Sequence, residues 1–240
     1  MVPPKAINQL KARNTSAHRR LNDLIIGTEI AVGGLDVFAG LEDVDDPFTI
    51  LLPHRKGKLI KISRSREKLK IILEQQINYK QYEKSLIFAA AEAEDHIASY
   101  IRIVLRAYPD RLTRGPRGGQ SDKSVTWGEI IQTDSKESLI DSIIEDRINS
   151  IMRNRPSEYL KYLGRIIEGH LPEQAIDRFC ELCATRDLIV HSQGKISSEY
   201  ITKAAGLERG KIGDLAVVDE KYFRSAMSYI KDIYSEIYAV

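Results

Sequence analysis

Arg186, Asp187 and His191 sit within a single short string, ELCATRDLIVHSQGK. An arginine is permanently charged and presents a planar fork matched to phosphate oxygens. A histidine exchanges protons near neutral pH, and an aspartate can orient either of them through a charge-assisted hydrogen bond. With no convincing metal cluster elsewhere in the chain, the trio describes metal-independent phosphodiester chemistry. Arg186 would stabilise charge on phosphate oxygens, His191 would act as general base or acid, and Asp187 would orient one of the two.

The element that must position them is a helix. Pro172 fits its first turn and Gly194 the residue just after its end. Stepping about 100° per residue, Ile176, Phe179, Cys180, Cys183 and Val190 form one apolar stripe. Asp187 falls in the middle of that stripe, and Arg186 and His191 flank it about 140° apart. A charged group there must be paired or must line a cleft. His191 is expected in the last turn, where the negative helix end favours imidazolium. The same spacing also fits an Arg–Asp pair with a histidine capping the helix. Because one ideal helix does not converge Arg186 and His191 on one phosphate, either its end is irregular or a second chain supplies the complement.

The longer string ELCATRDLIVHSQGKISSEYI, Glu181 to Ile201, resembles the signature of the HEPN superfamily, in which Arg is followed after four to six residues by His. The residue after Arg is commonly Asn, Asp or His in that motif, and Asp187 fits. The likeness extends more weakly from the helix around Leu86 to the C-terminus, including KIGDLAVVDEKYF, and is closest to the RiboL-PSP and MAE-type branches. It implies an all-α bundle that dimerises so that two Arg/His pairs face one cleft, and a metal-independent endoribonuclease without cofactor. In that reaction the RNA 2′-hydroxyl attacks the adjacent phosphate and leaves a cyclic phosphate end. Members occur in toxin–antitoxin and antiphage systems, so the expected partners are RNA, a second copy of the chain, and an antitoxin or other defence-system protein. A toxin subset carries Tyr two residues after the His; here that position is Gln193, which puts neutralisation by nucleotidyl transfer onto that site in doubt.

Other residues are weaker candidates. Glu181 precedes Arg186 by five residues and could support it, although a solvated helix position is the more ordinary role. Arg102 and Arg106, one turn apart, together with Arg111, Arg114, Arg117 and Lys195, are candidate RNA contacts. His96, near Glu92 and Asp95, lacks the further ligands a metal site needs. Cys180 and Cys183 have no second pair with which to bind zinc and read as small buried residues. Trp127 could stack on a base, with anchoring of the following helix the more ordinary job.

The 240 residues are 42% hydrophobic and 29% charged, with a formal net charge of +2. This composition excludes disordered and collagen-like classes, and the total charge does not announce a nucleic-acid binder. No apolar stretch is long enough for a membrane span and the start MVPPKAINQLKARN lacks a signal-peptide core, so a cytoplasmic protein is expected. Residues 29 to 46 are acidic, carrying Glu42, Asp43 and Asp45 among others. The run from Arg55 to Lys70 is basic. FTILLPHRKGKLIKI fits a short hairpin. Helical periodicity is clearest from Leu86 to Leu105, ending near Tyr108, and resumes after a Gly- and Pro-rich basic loop, with Asp134 and Glu137 at capping-box spacing. The expected fold is a mainly α, antiparallel bundle over residues 81 to 240, with an N-terminal helical extension over 1 to 80. Two other functions fit the same residues: a non-catalytic HEPN-like module binding nucleotide, nucleic acid or protein, and a structural bundle with a buried ion pair.

Overall fold

The computed structural model describes residues 4–41, 46–54, 57–115, 125–204 and 206–239. Glu42, Asp43, Asp45, Arg55, Lys56, Arg117 and Lys123 lie outside them. The fold is all-α with one short hairpin. In chain order come α1 (Pro4–Ala39), β1 (Phe48–Pro53), β2 (Leu59–Arg64), α2 (Arg66–Gln75), a π-helical turn (Gln76–Lys80) and α3 (Gln81–Ala107). A 3-10 turn (Pro109–Thr113) is followed by α4 (Trp127–Gln132), α5 (Lys136–Met152), α6 (Pro156–Ile167), α7 (Glu173–Ser192), α8 (Ser198–Lys203) and α9 (Glu220–Ala239).

Helix α3 is the centre of the bundle, with α1, α5, α6, α7 and α9 packed against it. Its apolar positions Leu86, Ala89, Ala90, Ala93, Ile97, Tyr100, Ile101, Val104 and Leu105 are all buried, as the periodicity requires. The alanines let neighbouring backbones come close, while Leu86, Ile97, Ile101 and Leu105 each contribute about 1.5–3 kcal/mol through burial. Helix α3 stops at Ala107 because Pro109 has no N–H to continue it. Residue 80, the expected domain boundary, lies inside an unbroken helical run from α2 into α3. Leu10, Ala17 and Leu21 of α1 belong to the same core as α3 and α9.

The hairpin forms where expected: β1 and β2 are antiparallel, with Phe48 opposite Arg64 and Pro53 opposite Leu59. Gly57 in its turn has φ +71°, a conformation that disfavours a side chain. Helix α5 is capped one residue later than the spacing suggests. The Ser135 hydroxyl, and not Asp134, accepts from the Ser138 N–H, because it is Ser135 whose extended backbone immediately precedes the helix.

Candidate functional site

Helix α7 begins at Glu173 after Pro172 and ends with Gln193 in the left-handed region, where Gly194 N–H donates to the Leu188 carbonyl. The chain then turns back along a short ladder. Lys195 bridges Leu215, Ile196 N–H donates to Asp214 and Ala216 N–H donates to Gly194. Ile176, Phe179, Cys180 and Cys183 are buried on the core side. Val190 is not: it is 51% exposed. In the C-terminal turns of α7 Ile189 still packs against the main core, whereas Leu188 turns to a satellite cluster with Ile196, Tyr200 and Ala216.

The charged trio is paired and lines a cleft. Arg186 Nη1 and Nη2 donate to Glu94 Oε2 and Oε1 of α3 at 3.2 and 3.3 Å. Glu94 also accepts from the buried Tyr159 hydroxyl at 3.4 Å. Asp187 lies 3.0 Å from Arg186 Nε through one oxygen and accepts from Lys203 of α8 at 3.1 Å through the other. Burial works against the Arg186 charge, but the Glu94, Cys183 and Asp187 groups outweigh it and hold the guanidinium above its ordinary range. Lys203 is likewise raised, first by its hydrogen bond to Glu199.

These residues border a cavity of about 550 Å³, with Glu94, Cys183, Arg186, Asp187 and Lys203 on its wall. His191 is exposed and faces a smaller hollow of about 250 Å³ with Ser197, Glu199 and Tyr200. Asp187 and Lys203 border both spaces, so their ion pair stands between Arg186 and His191. Within one chain the two residues open into adjoining spaces and not into one, in keeping with their angular separation on the helix.

Glu181 does not support Arg186 and is not solvated. Only 3% exposed, it accepts from Thr185, Tyr200 and Tyr222 and is paired with Arg209 Nε at 3.1 Å. Arg209 stacks on Tyr222, 3.5 Å from its ring centroid, and donates to the Val217 carbonyl. Four converging donors make burial of the carboxylate tolerable where solvation would otherwise be required. The network fixes the segment after α8 onto α7.

The expected basic surface is largely neutralised. Arg102 forms a two-point pair with Glu145 at 2.5 and 2.7 Å, and Arg106 pairs with Asp141 at 2.7 Å. Arg111 is buried, bonded to the Ile166 carbonyl and stacked 3.9 Å from the Tyr108 centroid, while Arg114 donates to the Arg165 carbonyl and to Glu168. These four arginines clamp helices together because each meets a carboxylate or carbonyl on a facing segment. Arg117 lies outside the described residues. Lys195 is exposed beside the α7 end. Trp127 does not anchor α4: it is 78% exposed, as are Ile130 at 46% and Ile131 at 80%, because this six-residue helix rests on neither core cluster.

Compared with protein-family models, with curated proteins and with solved structures, the chain matches none. The HEPN likeness rests on the string from Glu181 to Ile201 and its weaker extensions. Glu94 and Lys203 are the site residues that the motif does not reveal. A signal for Glu94 exists in AEAEDHIAS, where it borders the buried positions Ala90, Ala93 and Ile97 one turn apart. A carboxylate at the edge of an apolar stripe must find a cation from the next helix. Cys180 and Cys183 are buried free thiols, and burial pushes Cys180 up to about 11, which leaves it inert at neutral pH. Among the described residues no three His, Cys, Asp or Glu side chains gather as a metal site, and none of the helices is long and apolar enough to cross a membrane.

Proposed function

We propose that this chain is a metal-independent endoribonuclease of the HEPN type, acting as a homodimer and serving as the effector of a toxin or antiphage-defence system. The observation that supports it most is the half-buried Arg186 on a cleft wall, held at two points by Glu94, with an exposed His191 five residues further along α7 in the adjoining hollow. Such an arginine is oriented before any ligand arrives, which is the condition for stabilising developing charge.

In the reaction, the RNA 2′-oxygen bonds to the adjacent phosphorus while its proton passes to an imidazole acting as base. The bond from phosphorus to the 5′-oxygen breaks, and that oxygen takes a proton from an imidazolium acting as acid. Arg186 holds the non-bridging oxygens, and Asp187, 3.0 Å from the Arg186 Nε and itself held by Lys203, orients that guanidinium. A second copy brings a second His191, so that base and acid come from different protomers.

One observation favours a second reading, a helical module that binds nucleotide, nucleic acid or a protein without cleaving it: the Arg186 fork is already filled by a carboxylate. Incubation of the purified chain with RNA in excess EDTA, beside Arg186→Ala/His191→Ala, separates the two. Cleavage by wild type alone, leaving cyclic phosphate ends, is expected. An intact substrate with folded, dimeric wild type would move the reading to the binding module.

A further inference from the structure

The far wall of the Arg186 cleft is built by the turn between α5 and α6, residues Arg153, Asn154 and Arg155, followed by Pro156 and Ser157 at the start of α6. Neither arginine belongs to the motif. This turn is held against α7 by a contact between Ser157 and Cys180, and its backbone is fixed by the Asn154 N–H donating to Ile151 and the Glu158 N–H donating to Arg155.

The cations of the cleft divide into two kinds. Arg186 is matched by Glu94, Lys203 by Asp187 and Glu199, and Lys161 by Glu173. Arg153 and Arg155 are exposed and, among the described residues, make no hydrogen bond or ion pair through their side chains. Two unpaired guanidinium charges on one cleft wall make the local potential positive, and an anion bound there would be attracted to both. The floor below is apolar where Met152, Cys180 and Ala184 line it, and Asp177 offers a carboxylate without a cationic partner among the described residues. A cavity of about 550 Å³ falls within the range that small-ligand sites occupy.

We propose that the α5–α6 turn is a phosphate subsite for one nucleotide of a ribonucleotide strand, next to the phosphate that Arg186 receives. Arg153 and Arg155 take the phosphate oxygens, the apolar floor takes the base, and Asp177 accepts from a ribose hydroxyl. The inference rests on the ribonuclease reading for the identity of the strand and extends the site beyond the Arg/His motif. Of the three cleft carboxylates, Glu94 and Asp187 are already matched by Arg186 and Lys203, and a basic rim over the remaining Asp177 suits a nucleotide, which is anionic at phosphate and donor-rich at ribose, better than an acidic peptide that would bring further carboxylates against it.

The test uses the full chain in a His191→Ala background, in EDTA, so that the probe stays intact. A fluorescently labelled oligoribonucleotide is titrated by anisotropy with and without Arg153→Ala/Arg155→Ala, and circular dichroism checks that both proteins fold. The double arginine variant is expected to bind at least tenfold more weakly. The slope of log affinity against log salt should become shallower by about 0.7 for each phosphate that the variant no longer neutralises. Unchanged affinity and salt slope, no binding by the parent, or equal competition by polyglutamate would each overturn the subsite. The cleavage assay is read separately. Arginine-dependent binding without wild-type cleavage leaves the nucleotide subsite standing and sinks the nuclease, and wild-type cleavage with unchanged affinity in the variant does the reverse.

Discussion

Arg186 and Glu94 meet through two parallel contacts, 3.2 and 3.3 Å, that join α7 to α3 across the wall of the candidate cleft. The carboxylate orients the guanidinium and also occupies the face that a phosphate would need. In Glu94→Gln the amide retains one orienting contact but no longer competes as an anion. In RNA cleavage assays KM is expected to fall severalfold and kcat to fall with it, since the arginine is freer both to bind and to wander. The pair is only a quarter exposed, so its removal should cost about 1 kcal/mol of stability. A variant with KM unchanged and only the melting temperature lowered would make Glu94 purely structural.

His191 offers the sharpest distinction between chemistry and architecture. It is exposed at the end of α7, so His191→Ala should leave the melting temperature within about 1 °C, as expected of a surface substitution. Cleavage in EDTA should fall by about 10²–10⁴-fold, the range that a general acid or base contributes. A large drop in melting temperature would mean that the imidazole holds the helix end, and undiminished cleavage would remove it from the reaction.

The sequence reveals those parts of this molecule that depend on local spacing. The buried stripe of α3, the end of α7 shortly before Gly194 and the hairpin over residues 48 to 64 all follow from periodicity and turn residues. What it hides are pairings across long separations. Arg102 and Arg106 look like a basic surface until α5 brings Glu145 and Asp141 against them, 43 and 35 residues away. Glu94 reaches Arg186 over 92 residues. Charge on a helix face therefore shows that a partner is needed, and only the tertiary fold decides whether a carboxylate or a ligand fills that place.

Glu181 carries a stability prediction independent of any catalysis. Its carboxylate is 3% exposed and is held by Thr185, Tyr200, Tyr222 and Arg209. Glu181→Leu leaves the largely buried Arg209 charge and two tyrosine hydroxyls without their acceptor. The expected cost is about 3–5 kcal/mol, or a fall of roughly 6–20 °C in melting temperature for a chain of this size. Adding Arg209→Met should recover part of that stability, because the stranded charge is then gone. A melting temperature within about 2 °C of wild type would show that the network is not retained in solution.

His96 should govern part of the response to acid. Its ring is fully buried on α3, 4.4 Å from the Tyr234 centroid, and both nitrogens lack hydrogen-bond partners among the described residues. Burial, with Arg13 and Arg20 adding to it, pushes its pKa down from 6.5 to about 4. The unfolded chain therefore takes up this proton first as pH falls. The stability that His96 contributes is complete above pH 6.5 and is eroded between there and about pH 4, to an extent of roughly 3 kcal/mol. His96→Leu replaces the ring by an apolar group of similar size, so its stability at about pH 7 should equal or exceed that of wild type. Thermal melts of both proteins at about pH 7 and about pH 4.5 give the comparison. Wild type should lose more stability than the variant on acidification, whereas equal losses would mean that the imidazole is solvated in the folded protein and titrates as it does in the unfolded chain.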